Sequence, residues 1–261
     1  MQAQLLKYTD KCFHSLGINL VLALSDSTIE SIHSLRLNIK KIRTLLKIID
    51  YKQSIRTEDK TVKALNNIFT YSGLLRDIHI EIQLLITFRE QAENEYKSLI
   101  RILKNEQKKC EKLLKSSIVK LNPFDIVLLS KRIEQSFEMQ SGESLVVILQ
   151  KKAEYSKREF FQLIKGGLGE NSLHRIRIVI KEYINILNLL RKGTGSSQIN
   201  TSFIEELDNL QRRIGEWHDL KLLHEYVFNQ GFNVPLLIGI IKNEKDKLQI
   251  EIKKNLLKIE I

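Results

Sequence analysis

The stretch that decides the fold is IHSLRLNIKKIRTLLKII, at residues 32–49. Its apolar residues recur at steps of three and four, in Ile32, Leu35, Ile39, Ile42, Leu46 and Ile49. Side chains at this spacing share one face of an α-helix, so an amphipathic helix with a buried stripe is predicted over 29–50. Most of the chain shows the same period, and no segment alternates convincingly with period two. The sequence therefore predicts an all-α fold.

A second stripe on this helix carries positive charge. It begins at His33 and continues through Arg36, Lys40, Arg43 and Lys47. At about 100° per residue, the four cations fall within about 80° of one another and border the apolar face. The stripe rises roughly 21 Å, which is long for one phosphate and natural for a linear polyanion. The alternative is that these side chains only cover the edge of the core while their charged ends reach solvent.

Much of the stripe returns 141 residues later, in LHRIRIVIKEYINILNLL at residues 173–190. The order histidine, arginine, lysine recurs at the same offsets, in His174, Arg177 and Lys181. An exposed solubilising face needs charge but no fixed order, so the recurrence favours an anion site. Ile184 stands where the first copy has Arg43, and we expect the first half to contribute more binding energy.

A second repeated block follows each stripe. LNNIFTYSGLLRDIHIEIQLL at residues 65–85 resembles LDNLQRRIGEWHDLKLLHEYV at residues 207–227, 142 residues further on. Gly73 matches Gly215, and we expect each at a junction between two helices, over 58–71 and 75–92 in the first half and 201–214 and 218–229 in the second. Two repeated blocks at nearly equal offsets predict a duplication, with two helical bundles about a pseudo-two-fold axis.

Each block carries an aspartate four residues after its glycine. Asp77 and Asp219 are expected in the first turn of the following helix, where a carboxylate favours the helix dipole. The alternative is that each aspartate orients a cation of the stripe. Arg76 and His218 hold equivalent positions before the aspartates and are candidates to face the anion.

The composition agrees with a polyanionic partner. The chain has 261 residues, with 42 Lys and Arg against 31 Asp and Glu, a net charge of +11. Such an excess favours polyanions or anionic membrane surfaces, although a solvated basic surface is the alternative. Cys12 and Cys110 fit reduced thiols, the N-terminus lacks a signal-peptide pattern, and the apolar stretches are too short to span a bilayer. We therefore expect a cytoplasmic protein without membrane insertion.

Catalysis finds little support in the sequence. There is no phosphate-binding GxxxxGK[ST] loop and no nucleophile elbow. The His218-Asp219 dipeptide occurs in some metal-dependent phosphohydrolases, but no further cluster at ligand spacing accompanies it. His14, His79 and His224 are expected at the surface or at the edge of the core. We predict no catalytic residue, no metal and no cofactor.

Together, the two His-x-x-Arg-x-x-x-Lys helices and the Gly-x-x-[Arg/His]-Asp blocks resemble the CHAD family, the conserved-histidine α-helical domains. The resemblance covers roughly residues 5–255. It implies a single domain over 1–261, made of two antiparallel four-helix bundles (1–120 and 121–261) with a basic central cleft. It also implies non-catalytic binding of inorganic polyphosphate. The matching residues are His33, Arg36, Lys40, Arg43, His174, Arg177 and Lys181, to which we add Lys47, Arg76 and His218.

Binding through such stripes should weaken with salt, because counterions are displaced, and should strengthen as the histidines become protonated at lower pH. The alternative function is RNA binding through the same basic surface. Binders of single-stranded nucleic acid interleave aromatic residues with basic ones, and the stripes contain no aromatic residue. Association with polyphosphate granules, scaffolding and regulation of a polyphosphate-metabolising enzyme are all open roles.

Overall fold

The computed structural model describes residues 1–50, 59–91, 96–139, 141–194, 200–229, 231–232 and 234–259. These residues form nine α-helices and no strand, which confirms the all-α prediction. The helices are α1 (Gln2–Ser25), α2 (Ile29–Asp50), α3 (Lys60–Thr87), α4 (Tyr96–Val119), α5 (Pro123–Glu138), α6 (Gly142–Lys165), α7 (Glu170–Thr194), α8 (Thr201–Asn229) and α9 (Pro235–Lys258).

The apolar stripe of α2 is buried as its period predicts. Five of the six expected residues are fully buried, namely Ile32, Leu35, Ile39, Ile42 and Ile49. The sixth, Leu46, is half-buried, and the adjacent Leu45 is fully buried instead. The straight helical period of 3.6 residues explains this one-residue drift along the stripe.

Short polar side chains begin several of these helices. The Thr28 hydroxyl accepts a hydrogen bond from the Ser31 amide at 3.2 Å, and the Asn122 side chain accepts one from the Phe124 amide at 3.0 Å. Asp59 accepts from the amides of Thr61 at 2.8 Å and Val62 at 3.2 Å. Such caps satisfy amides that have no partner within the helix. The residues before Pro123 therefore stop one helix and start the next, as the sequence predicts.

The chain divides into two compact units. Unit 1 comprises Met1–His79, Lys104–Leu149 and Lys192–Gly195, and unit 2 comprises Ile80–Leu103, Gln150–Arg191 and Ser196–Ile261. In unit 1, α5 packs on α1 and α2, and in unit 2, α8 packs on α9. The duplicated halves at 1–120 and 121–261 stay a prediction about the sequence repeat.

Two helices are longer than the sequence predicts. Gly73 and Gly215 lie inside α3 and α8, which run without interruption through both positions. The prediction of a helix junction at each glycine is therefore wrong. A glycine inside a helix costs about 0.5–1 kcal/mol relative to alanine, so a continuous helix needs another reason to keep it.

Two further observations concern the cysteines and the membrane. Cys12 is buried, Cys110 is half-buried, and neither forms a disulfide. Among the helices that the structure describes, none combines the length and the apolar character needed to cross a bilayer.

Candidate functional site

The cations of α2 converge on one aromatic ring of α3. The guanidinium carbon of Arg36 lies 4.4 Å from the centroid of the Phe69 ring, and that of Arg43 lies 4.7 Å from it. The Lys40 ammonium lies 5.9 Å from the same centroid. The negative face of an aromatic ring attracts cations, by about 0.5–1 kcal/mol each at exposed sites. Phe69 thus gathers three charges that would otherwise repel one another.

Arg36 is fixed by a hydrogen bond as well as by the ring. Its Nη1 donates to the backbone carbonyl of Phe69 at 2.7 Å. The guanidinium then occupies the space over Gly73, where an added Cβ would lie 2.7 Å from Nη1. Real Cβ atoms essentially never approach a neighbour so closely. Gly73 therefore leaves a gap in the surface of α3, and the guanidinium of Arg36 occupies this gap.

Unit 2 repeats this packing with residues at the matching offsets. A Cβ added at Gly215 of α8 would lie 3.1 Å from Nη2 and 3.3 Å from Nε of Arg177 on α7. Arg177 corresponds to Arg36, and Gly215 to Gly73, in the sequence repeat. In both units, therefore, the glycine packs against the arginine that follows the histidine of the stripe. This contact explains why glycine stands inside both helices.

The histidines of unit 2 meet across two helices. His174 of α7 and His218 of α8 stack with ring centroids 5.0 Å apart and planes 28° apart. They line a pocket of about 380 Å³. Its other lining residues are Asn171, Arg175, Trp217 and Lys221. The sequence predicts each histidine separately as a binding residue, and the structure brings the two rings together.

Two buried nitrogens of residues that line this pocket have no hydrogen-bond partner within the described part of the chain. They are Nε1 of Trp217, whose side chain is fully buried, and Nδ1 of His218. The Asp219 carboxylate oxygen lies 3.9 Å from His218 Nδ1, beyond hydrogen-bond reach. Leaving a buried polar atom unsatisfied costs about 1–3 kcal/mol. Buried nitrogens without a partner mark a place where an acceptor would stabilise the fold.

Positive charge surrounds the same pocket. Burial lowers the pKa of His174 below its ordinary value, and the neighbouring His218, Arg177, Lys221 and Lys181 lower it further. Each of these groups disfavours another positive charge on the imidazole. The field at His174 is therefore positive.

Carboxylates neutralise part of this charge. Lys221 contacts Glu170 at 3.1 Å and Glu225 at 3.6 Å, and Arg175 contacts Glu159 at 2.6 Å. Burial would raise the pKa of Glu170, but hydrogen bonds from Lys221 and Lys245 outweigh it and lower that pKa. The carboxylates hold the lysine and arginine ends around the pocket rim.

The two units differ at the far end of the stripe. Arg43 of unit 1 is exposed, whereas the corresponding Ile184 of unit 2 is buried and belongs to the core. The ring that carries Arg43 is absent as well, because Gln211 occupies the position that corresponds to Phe69. The aromatic ring and the arginine that rests on it are thus lost together in unit 2.

The two aspartates do not begin helices. Asp77 lies within α3, where it accepts a hydrogen bond from Nη1 of Arg76 at 3.0 Å, and Asp219 lies within α8 beside His218. The expectation that both occupy a first helical turn is wrong, since α3 and α8 are continuous. The alternative, that each aspartate orients a cation of the stripe, stays a prediction, because Arg76 and His218 lie outside the stripes.

The remaining candidates keep helical positions at the surface or half-buried. His33 and Lys47 are exposed on α2, and Lys181 on α7 and Arg76 on α3 are half-buried. A basic cleft that both stripes share stays a prediction. Among the described residues, no group of three or more His, Cys, Asp and Glu side chains is placed to hold a metal ion.

Sequence reasoning missed several residues of this arrangement. Phe69, Trp217 and Lys221 lie on α3 and α8, outside the stripes that the charge pattern identified. Their positions in the repeated block were visible, but nothing in the helical period says which residue of one helix touches another. The expected surface or edge position of His79 is wrong, because its side chain is 7% exposed in the core.

Comparison with known proteins settles the family. The family model described as the CHAD domain matches residues 7–227. The chain belongs to the CHAD domain family. The crystal structure of the CHAD domain from the plant Ricinus communis is similar in fold, with a TM-score of 0.77 at 14% sequence identity. That match covers 100% of this chain and 92% of the plant chain. Comparison with curated proteins gives no significant match.

Proposed function

We propose that this CHAD domain binds inorganic polyphosphate without cleaving it. The observation that carries the proposal is the convergence of Arg36, Lys40 and Arg43 on the ring of Phe69. Three cations held by one ring form a compact, preorganised row of charge. Preorganisation lowers the entropic cost of ordering long side chains when the ligand binds.

The chemistry of the row fits a chain of phosphates. Guanidinium groups offer paired donors to phosphate oxygens, whereas the lysine ammonium acts as a mobile point charge between them. Exposed His33 and Lys47 extend the same face of α2 in both directions. The row therefore matches a linear ligand with one negative charge on each repeating unit.

Unit 2 offers a second, shorter row. Arg177 rests over Gly215 as Arg36 rests over Gly73. His174 precedes Arg177 by three residues and Lys181 follows it by four, as in the first stripe. Unit 2 has no counterpart of Arg43 or of the Phe69 ring, so this row has fewer permanent charges. We propose that unit 1 contributes more of the affinity.

RNA is the competing ligand. A base would need an open aromatic face for stacking, and the Phe69 ring already carries the guanidinium groups of Arg36 and Arg43. Phosphates need no such face, because they contact the outer edges of the same guanidinium groups. The contacts at Phe69 thus support polyphosphate over a stacked base.

The test compares two charge-matched double variants. Arg36→Ala with Lys40→Ala removes two cations of the row, and Lys7→Ala with Lys11→Ala removes two exposed cations of α1. Two lost phosphate contacts should weaken polyphosphate binding by roughly ten- to hundredfold, at about 1 kcal/mol or more each. The α1 variant should change affinity by about twofold or less. Equal effects of both variants would contradict the assignment of the row.

Ligand class is tested by titrating long-chain polyphosphate, single-stranded RNA and pyrophosphate side by side at two salt concentrations. Retention of long polyphosphate at the higher salt supports the proposal. RNA binding that equals or exceeds polyphosphate binding overturns it in favour of a nucleic-acid-binding function. A cytoplasmic location and an association with polyphosphate granules or a polyphosphate-metabolising enzyme are further parts of the proposal, which fractionation and co-sedimentation would test.

A further inference from the structure

The pocket at His174 and His218 has two imidazoles at positions where unit 1 has one imidazole and one permanent cation. His218 corresponds to Arg76 in the repeated block, and His174 corresponds to His33. Only in unit 2, therefore, does the repeat place two imidazoles at these positions. Their rings are in direct contact, with centroids 5.0 Å apart.

We propose that this pocket is a proton-linked site for one phosphate group, in which the His174–His218 pair takes up a proton as the anion binds. The inference rests on the proposed function, because the phosphate group belongs to the polyphosphate chain. It adds a difference in pH dependence between the units. Unit 1 would bind phosphate at any physiological pH, and the affinity of unit 2 would increase as the pH falls.

Charged side chains of four helices act on the pair directly or through ion pairs. On α7 they are Glu170, Arg175, Arg177 and Lys181, and on α8 they are Asp219 and Lys221. Glu159 of α6 is engaged by Arg175, and Lys245 of α9 is engaged by Glu170 at 3.2 Å. The acids are thus mostly paired with cations at the rim, and the cations dominate at the imidazole of His174.

This field opposes a proton on His174 when no anion is present. The pKa of His174 is lowered by burial and by His218 and the three nearby cations. A bound phosphate would reverse the electrostatic part of that effect, since an adjacent negative charge favours the imidazolium. The pair then binds more protons in the complex than in the unbound protein. By linkage, affinity must increase as pH falls through this range.

Two of the residues that line the pocket carry buried nitrogens, and these are a second observation beside the charge at His174. Nε1 of Trp217 is a donor only, and Nδ1 of His218 becomes a donor when the ring is protonated. Neither has a hydrogen-bond partner within the described residues. Both belong to residues that line the pocket of about 380 Å³. An anionic oxygen is the kind of partner that satisfies donors of this type.

The experiment follows the emission of the single tryptophan, Trp217, while long-chain polyphosphate is titrated at constant ionic strength from about pH 8 to pH 5.5. The internal phosphates of a long chain stay ionised over this range, so changes in affinity report on the protein. One linked proton should tighten binding by about three- to tenfold per pH unit near the titration of the pair.

Two substitutions and one control isolate the pair. His218→Arg supplies the permanent cation of unit 1, and we expect it to bind more tightly than wild type near pH 8 with a flattened pH dependence. His218→Gln should flatten the dependence at the weaker affinity. His224→Gln removes another histidine of α8 that does not line the pocket, and it should keep the wild-type slope.

A second readout does not depend on affinity. Nuclear magnetic resonance of the imidazole carbons should show the pKa of His174 rising when polyphosphate is added. A flat wild-type profile, or a wild-type slope in His218→Gln, overturns the proton-linked site while leaving polyphosphate binding in place. Failure of the wild-type chain to bind polyphosphate at any pH overturns the proposed function, and the proton-linked site with it.

Discussion

Gly73→Ala tests whether the gap in α3 exists for Arg36. The new Cβ would lie 2.7 Å from Nη1 and 3.4 Å from Cζ of that arginine, so the guanidinium must shift away from the helix. We expect this shift to break the 2.7 Å hydrogen bond from Nη1 to the Phe69 carbonyl. The matched control is Gly17→Ala in α1, where nothing lies within 4 Å of the added Cβ.

The expected magnitudes follow from these contacts. Alanine should stabilise a helix interior by about 0.5–1 kcal/mol over glycine, and Gly17→Ala should show this gain. A hydrogen bond from a charged donor is worth about 1.5–3 kcal/mol. The lower end applies to Arg36, since it is half-buried and the Phe69 carbonyl keeps the Ser72 hydroxyl at 3.1 Å. Gly73→Ala should therefore lower the free energy of unfolding by about 0.5–1 kcal/mol from wild type.

Binding should separate the two variants more clearly than stability does. With Arg36 displaced from the row, polyphosphate affinity should fall by about tenfold in Gly73→Ala and stay unchanged in Gly17→Ala. Gly215→Ala should lose no more than about threefold, since its nearest contact to Arg177 is 3.1 Å and a small shift relieves it. Urea unfolding and polyphosphate titration measure both quantities. A Gly73→Ala variant as stable as Gly17→Ala, with unchanged affinity, would refute the role assigned to the gap.

Two other predictions concern Phe69 and Asp59. Phe69→Leu removes the ring under Arg36 and Arg43 and should weaken polyphosphate binding about fivefold. Phe69→Tyr keeps a ring, and its affinity should stay within about twofold of wild type. Equal affinities of the two variants in a titration would contradict the role of the ring. Asp59→Ala removes a helix cap and the 2.5 Å ion pair with Arg132, so unfolding should show a loss of about 1–2 kcal/mol, with a smaller loss in Asp59→Asn. Burial would raise the pKa of Asp59, but hydrogen bonds from Arg132 and two backbone amides lower it overall. Its contribution is therefore present at neutral pH and is lost as the pH falls below the ordinary carboxyl range, and Asp59→Asn should be less sensitive to acid there.

The sequence predicts most of the helices, because a helix that buries one face repeats its apolar residues at steps of three and four, as α2 does. It failed at Gly73 and Gly215, where glycine reads as a helix end by local rules. The reason for these glycines is a contact with an arginine of another helix, and no local rule contains that contact. Propensity was overridden by tertiary packing at both positions.

The candidate site was predictable along each helix and not between helices. Charge order identified Arg36, Lys40 and Arg43 as neighbours on α2. That they rest on Phe69 of α3 depends on the rotation of one helix against another, which periodicity leaves undetermined. The stacked His174 and His218 illustrate the same limit, since each was a candidate alone and their 5.0 Å contact appears only in three dimensions.

The packing of α5 on α1 and α2 has a consequence for synthesis of the chain. The Gln2 side chain of α1 donates to the Phe137 carbonyl of α5 at 3.1 Å, although 135 residues separate them. At about 5–20 residues per second, α5 follows α1 from the ribosome only after roughly 5–20 s. During that interval the surface of α1 that α5 covers stays open to other contacts. Nascent chains that pause within this window should therefore depend most on chaperones.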